Sequence, residues 1–165
     1  MNEKERMQKN IVEGIITAFN KLRVSIGDKC AYTSYLTKEL LQKKYGINAE
    51  LKAGELIFNP MILPLVYRWD PPYEFHMWVK LDDEIIDIAP VGITQRQEFE
   101  DGGVYFKYRD VCIPVVWEKK PYDGRRYSEV ENGVKQIEPP VDEDIYQKLY
   151  QCASDFIDER NNRLK

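Results

Sequence analysis

Apolar residues recur at helical spacing near both ends of the chain. Over residues 4–22, Ile, Val, Phe and Leu fall three or four positions apart with Glu and Lys between them, which predicts an amphipathic helix. A second helix is predicted over residues 29–45, with Asp28 as its N-cap and Gly46 as the residue that ends it. A third helix is predicted after Asp142, whose carboxylate is suited to cap it.

The middle of the chain instead carries the short apolar runs and alternation that are typical of strands. Six runs have this character: residues 47–53, 56–58, 75–81, 85–88, 104–108 and 111–117. Three further segments are predicted to be irregular: residues 61–73, residues 94–103 (a loop or short helix) and residues 119–140 (a surface loop or extended strap). Helices together with an antiparallel sheet predict the α+β class.

The run holding His76 and the run holding Asp87 predict a β-hairpin, because an acidic triplet at residues 82–84 separates them. A two-residue turn at positions 82 and 83 makes the two side chains diagonal neighbours on one face. His76 is the only histidine in the sequence. A carboxylate that orients an imidazole is typical of a catalytic site, but the hairpin alone is equally compatible with a structural hydrogen-bonded pair.

Cys30 falls in the first turn of the helix predicted over residues 29–45. At that position the helix dipole favours a thiolate, and free backbone N–H groups are available to a developing oxyanion. A cysteine is more often a small buried apolar residue, and Cys112 and Cys152 are interpreted in that way, as core packing. The start of a helix favours a nucleophile at Cys30.

Composition narrows the possible functions. The 165 residues suit a single domain, residues 1–165, and the net charge of -4 offers no basic face for nucleic acid. No apolar run of about 18 residues could span a membrane, and the charged N-terminus leads into no signal-peptide core. Three widely spaced cysteines form neither a disulfide framework nor a zinc site. The sequence therefore predicts a cytoplasmic protein without a metal or cofactor.

Taken in order, the candidate residues resemble a known family. Cys30 at the start of a helix is followed by KKYGINAEL at residues 43–51, HMWV at residues 76–79 and IIDIAP at residues 85–90. This succession, within residues 25–90, is similar to the transglutaminase-like superfamily, which has the papain-like cysteine peptidase fold. The resemblance implies that Cys30 is the nucleophile, that His76 is a general base and then acid, and that Asp87 orients His76.

The resemblance also implies a fold and a reaction. The expected fold is a papain-like α+β core in which the cysteine-bearing helix packs on an antiparallel sheet. The leading hypothesis is hydrolysis of a peptide, isopeptide or related amide bond, so a peptide or amide-containing substrate is the expected partner. Transfer of the acyl group to an amine, as in arylamine N-acetyltransferase-like members, is the second hypothesis. A non-catalytic binding module with the same fold is the alternative from outside the enzymes.

Three aromatic residues near the histidine are the predicted substrate-binding side chains. Trp69 and Tyr73 precede the His76 strand and are expected to wall a cleft above Cys30. Trp78 shares the face of His76 and is expected to shield the imidazole from water, which strengthens its hydrogen bond.

The catalytic hypothesis fixes an expected geometry. The Cys30 sulfur should lie within about 4 Å of one ring nitrogen of His76, and the other nitrogen should face Asp87. The backbone N–H of Cys30 is expected to point to the developing oxyanion. Two sources of a second oxyanion donor are left open, Asn59 and the turn at residues 25–29.

Overall fold

The three segments with helical spacing of apolar residues form α-helices. The computed structural model describes residues 1–137 and 141–163, and its helices are α1 Glu3–Lys21, α2 Cys30–Tyr45 and α3 Glu143–Asn162. All three predicted helices are confirmed. Gly46 ends α2 with a φ of 66°, as predicted, because glycine adopts the left-handed conformation without a Cβ penalty. None of the helices in these ranges is long and apolar enough to cross a membrane.

Six strands form one antiparallel sheet. They are β1 Glu50–Ile57, β2 Val66–Tyr67, β3 His76–Leu81, β4 Glu84–Asp87, β5 Val116–Glu118 and β6 Arg126–Glu129. The strand order is β2-β1-β3-β4-β5, and β6 pairs with β1 outside this path. Helices packed on this sheet make the protein α+β, as the sequence predicted.

The hairpin of β3 and β4 has the predicted register. Leu81 pairs with Glu84 and Val79 with Ile86, which confirms the two-residue turn at positions 82 and 83. Asp82 adopts a φ of 54°, a conformation that tight hairpin turns require and that aspartate tolerates better than most residues.

β1 connects the two parts of the sheet. Its Gly54 pairs with His76 of β3 on one edge and with Glu129 of β6 on the other. A Cβ atom at position 54 would lie 2.0 Å from the carbonyl oxygen of Ser128, so the approach of β6 requires a glycine there. The strand therefore runs unbroken through Gly54, where the sequence pattern suggested an interruption.

The helices bury one face of the sheet. Val79 and Ile86 of the hairpin contribute this face, and they meet fully buried side chains from all three helices: Ile11, Ile15, Leu36, Leu40, Leu149 and Ile157. Burying each such side chain contributes about 1.5–3 kcal/mol. This core fixes the hairpin against α2 and so determines where Cys30 lies relative to β3.

The chain after the hairpin differs from the prediction. Residues 104–108 do not form a strand but end in a 3-10 helix at Phe106–Tyr108, because Tyr105 and Tyr108 pack on one side at the three-residue spacing of such a helix. Of the strand predicted over residues 111–117, only the end is found, as part of β5. β6 lies inside the predicted loop or strap of residues 119–140, of which residues 138–140 are outside the described residues.

Two smaller predictions are wrong. Cys112 is exposed rather than part of the core, because it lies in irregular chain before β5. Asp28 does not cap α2, since its carboxylate pairs with the Lys29 ammonium at 2.7 Å and the helix begins one residue later than predicted. Cys152 packs against the helical core as expected, and Asp142 caps α3.

Candidate active site

His76 and Asp87 form a buried pair on neighbouring strands. Nε2 of His76 donates to Oδ2 of Asp87 across 2.6 Å, since a carboxylate can only accept. The two residues are 1% and 2% exposed. His76 begins β3 and Asp87 ends β4, so the hairpin register brings both side chains together as the sequence predicted.

A second donor reaches the same carboxylate from β6. The Tyr127 hydroxyl donates to Oδ2 of Asp87 across 2.7 Å, and its ring lies 6.1 Å from the ring of His76. Burial, followed by the charge of Asp87, raises the pKa of Tyr127 well above its usual value, so the phenol stays protonated. Sequence analysis missed Tyr127 because a four-residue strand in a charged, glycine-rich segment gives too short an alternation to recognise.

Arg125 anchors the start of β6. Its guanidinium donates to Oδ1 of Asp123 at 3.1 Å and to Oδ2 at 3.0 and 2.7 Å, and it also donates to the carbonyl of Pro114 at 2.8 Å. Burial disfavours the charged guanidinium, but Asp123 and Tyr127 outweigh it and raise the pKa of Arg125. This buried, paired arginine holds the strand that carries Tyr127.

Cys30 is the first residue of α2 and lies half-buried at the edge of a cleft. Its carbonyl accepts hydrogen bonds from the hydroxyls of Thr33 at 3.1 Å and Ser34 at 2.6 Å, which stabilise the first turn. The amide N–H of Cys30 has no backbone acceptor in the described residues, as the first turn of a helix leaves its donors free. The thiol therefore lies beside an available hydrogen-bond donor.

The second nitrogen of His76, Nδ1, is buried and has no hydrogen-bond partner within the described residues. Burial alone lowers the pKa of His76, but the charge and hydrogen bond of Asp87 raise it more, and Cys30 raises it further, to about 10. The imidazole is thus favoured in its protonated form, with Asp87 at Nε2 and Cys30 as the other interacting group.

A cleft of about 400 Å³ opens beside Cys30. Tyr73, one of the three predicted substrate-binding residues, lines it and is 88% exposed. Trp69 is not among its walls; it packs in a small apolar cluster with Met77. Trp78 is 3% exposed and its ring lies 6.1 Å from that of His76, so it covers the imidazole as expected but is placed to pack rather than to touch a substrate.

Tyr67 and Arg96 are among the cleft residues that sequence analysis did not single out. The Tyr67 ring lies 4.9 Å from the ring of His76, and the Arg96 guanidinium lies 5.2 Å from the centre of the Tyr67 ring. Tyr67 belongs to the proline-rich segment at residues 61–73, which has no clean period, so no sequence pattern separated it from its neighbours.

The structure also bears on the two sources considered for a second oxyanion donor. Asn59 is engaged elsewhere: its side-chain oxygen accepts from the amide of Met61 at 3.0 Å, and it is not part of the cleft wall. Gly27 and Asp28, from the turn before α2, do line the cleft. Within the described parts of the chain, no cluster of three or more His, Cys, Asp or Glu side chains is arranged to hold a metal ion.

Comparison with known proteins bears on the fold. No protein-family model matches the chain, and no curated protein matches it. The crystal structure of the genomics protein APC5867 superposes with a TM-score of 0.56 at 15% identity, over 93% of this chain and 79% of that chain. The α+β arrangement is therefore also found in an experimentally solved structure.

Proposed function

We propose that the protein is a thiol-dependent acyl-transfer enzyme that hydrolyses a peptide, isopeptide or related amide bond through Cys30, His76 and Asp87. The observation that carries this proposal is the setting of His76. Asp87 holds its Nε2, whereas its Nδ1 is buried without a hydrogen-bond partner in the described residues, and Cys30 raises the pKa of the same imidazole. Catalysis by a cysteine requires a base with one nitrogen fixed and the other reserved for the thiol.

Before acylation, the proton of the Cys30 thiol passes to Nδ1 of His76, so the protonated imidazole lies beside a thiolate. In the acylation step, this thiolate attacks the substrate carbonyl carbon. A carbon–sulfur bond forms while the carbonyl π electrons move to oxygen as an oxyanion. The raised pKa of His76 favours the imidazolium that this transfer produces, and Asp87 stabilises its charge. The imidazolium then protonates the leaving amine as the carbon–nitrogen bond breaks, which leaves a thioester on Cys30.

In the second step, His76 takes a proton from water while the water oxygen attacks the carbonyl carbon of the thioester. The carbon–sulfur bond breaks, the acid product leaves, and the proton on His76 returns to the Cys30 sulfur. An amine in place of water would give acyl transfer, the second hypothesis, through the same intermediate. The half-exposed position of Cys30 on the cleft supports access for either acceptor.

This proposal includes membership of the transglutaminase-like superfamily and a papain-like core. It is supported by the order of the elements, in which the cysteine begins a helix and the histidine and aspartate follow on adjacent antiparallel strands. A single domain in the cytoplasm, acting on a peptide or amide-containing substrate, completes the proposal.

The rate of alkylation by iodoacetamide near neutral pH tests the catalytic assignment, with each cysteine quantified by mass spectrometry. Access alone favours Cys112, which is exposed, over the half-buried Cys30 and Cys152. An activated thiolate reverses this order, so we expect Cys30 to react fastest. Cys152 is the matched control, since it is also half-buried but packs against the helical core.

The variant His76→Ala should slow alkylation of Cys30 by at least about 10-fold and leave Cys112 unchanged. If Cys112 reacts first in the wild type, or if His76→Ala changes nothing, the buried pair is structural and the non-catalytic binding module is the better account. Thermal melts of the variant, run alongside, establish that it is folded when its alkylation is measured.

A further inference from the structure

The proposed reaction places negative charge on an oxygen that needs two donors. Removing one donor from such a site typically costs about 100- to 1000-fold in kcat. The backbone N–H of Cys30, which has no backbone acceptor in the described residues, supplies one. Asn59 lies outside the cleft wall, so a second donor must come from another residue of the wall.

Tyr67 is placed on that wall with its ring against the catalytic histidine. Its ring centre lies 4.9 Å from that of His76, with an angle of 33° between the rings, and it lines the same cleft as Cys30. β2, which carries Tyr67, pairs with β1 at Leu56, so the ring stands on the sheet and not on a free loop. A donor fixed on a strand suits a site that must be preorganised.

Arg96 lies beside Tyr67 and cannot take its proton. Its guanidinium lies 5.2 Å from the centre of the Tyr67 ring, and it is itself held by Glu98 at 2.7 Å. Arginine has only N–H donors, so the phenol proton stays available to another acceptor. The positive charge beside the ring also favours an anion on the cleft side.

We propose that the Tyr67 hydroxyl, with Arg96 beside its ring, is the second oxyanion donor and acts together with the backbone N–H of Cys30. This inference rests on the proposed thiol-dependent reaction and adds a catalytic residue to it. The phenol keeps its proton in this setting, because burial raises the pKa of Tyr67 and outweighs the opposing effect of Arg96. A neutral phenol is the form that can donate.

Comparing the rates of alkylation and of acylation of Cys30 distinguishes an oxyanion donor from a residue that affects the thiolate. Alkylation of Cys30 by iodoacetamide forms no oxyanion, whereas acylation by p-nitrophenyl acetate does, and the nitrophenolate burst measures acylation directly. Rates are taken relative to Cys30→Ser, which corrects for acylation elsewhere. Tyr67→Phe should lower acylation by about 100- to 1000-fold and leave alkylation of Cys30 within about twofold of the wild type.

The control is Tyr122→Phe, which removes a hydroxyl from an 80% exposed tyrosine outside the cleft wall. It should change neither rate. Arg96→Gln, with Tyr67 intact, should lower acylation and spare alkylation, so it tests the same donor if melts show that Tyr67→Phe is unfolded.

The possible results are distinguishable. Acylation of a folded Tyr67→Phe variant within about threefold of the wild type overturns the oxyanion assignment. Equal losses in acylation and alkylation also overturn it, since Tyr67 would then act on the thiolate or on His76. A wild type whose Cys30 is no more reactive than Cys112 instead rejects the proposed function itself.

Discussion

Removing the Tyr127 hydroxyl tests the energetics of the buried network. Tyr127→Phe keeps the ring against His76 and Trp78 and deletes only the oxygen that donates to Asp87 at 2.7 Å. Because the ring stays in place, the cavity left behind is no larger than a hydroxyl group. The change therefore isolates one hydrogen bond to a buried carboxylate.

The expected loss follows from the burial of the acceptor. Asp87 is 2% exposed, so water does not readily replace the lost donor, and His76 is then the remaining donor to Oδ2. A hydrogen bond to a charged group contributes about 1.5–3 kcal/mol. For 165 residues, at about 2–4 °C per kcal/mol, the melting temperature should fall by roughly 3–12 °C.

Urea and thermal unfolding followed by circular dichroism measure this loss. Tyr122→Phe, at an exposed position, is the control and should stay within about 0.5 kcal/mol of the wild type. In a double-mutant cycle with Asp87→Asn, the two losses should be non-additive because the side chains are in contact. A loss below about 0.5 kcal/mol, or strict additivity, refutes the reasoning.

Three further predictions concern pH, packing and capping. Burial lowers the pKa of His76, but Asp87 and Cys30 together raise it more, from 6.5 to about 10, so the protonated imidazole stabilises the fold at lower pH. The free energy of unfolding should therefore fall as the pH rises between those two values, by at most about 1.4 kcal/mol per pH unit. Urea unfolding at a series of pH values measures this slope, which should be absent in His76→Gln. Gly54→Ala places a Cβ 2.0 Å from the Ser128 carbonyl and should cost at least about 1–3 kcal/mol in the same melts; a neutral result would contradict the tight β1–β6 approach. Asp142→Ala should cost about 0.5–2 kcal/mol through loss of the α3 cap, whereas Asp142→Asn, which keeps an acceptor, should cost much less.

The parts of the fold that the sequence predicts are those whose information is local. Helix spacing, the Gly46 stop and the two-residue turn each depend on residues close together along the chain. The contact between His76 and Asp87 follows from the same hairpin register, since their separation is only 11 residues. This is why the candidate pair could be placed before the structure was known.

The parts that the sequence does not predict depend on contacts made across the fold. Tyr127 meets Asp87 from 40 residues away, and Tyr67 acquires its setting only when Arg96 packs beside it. Aspartate is favoured at helix N-caps, but the carboxylate of Asp28 forms an ion pair with Lys29 instead. Local propensity in each case is weaker than the tertiary contact that decides the outcome.

β3 and β6 pair with opposite edges of β1, so the network around Asp87 is complete only after both strands have paired. The β3–β4 hairpin is local and forms within about 1–10 μs, whereas β6 must return across a long loop before Tyr127 reaches Asp87. In the part of the chain that the structure describes, β6 pairs only with β1, so its release leaves the hairpin paired and requires less free energy than global unfolding. Amide hydrogen exchange at residues 126–129 should therefore be faster than in β3. Each such opening would hydrate the Asp87 carboxylate while Cys30 and His76 stay in place, so an edge strand of four residues would govern how long the His76–Asp87 pair stays dry.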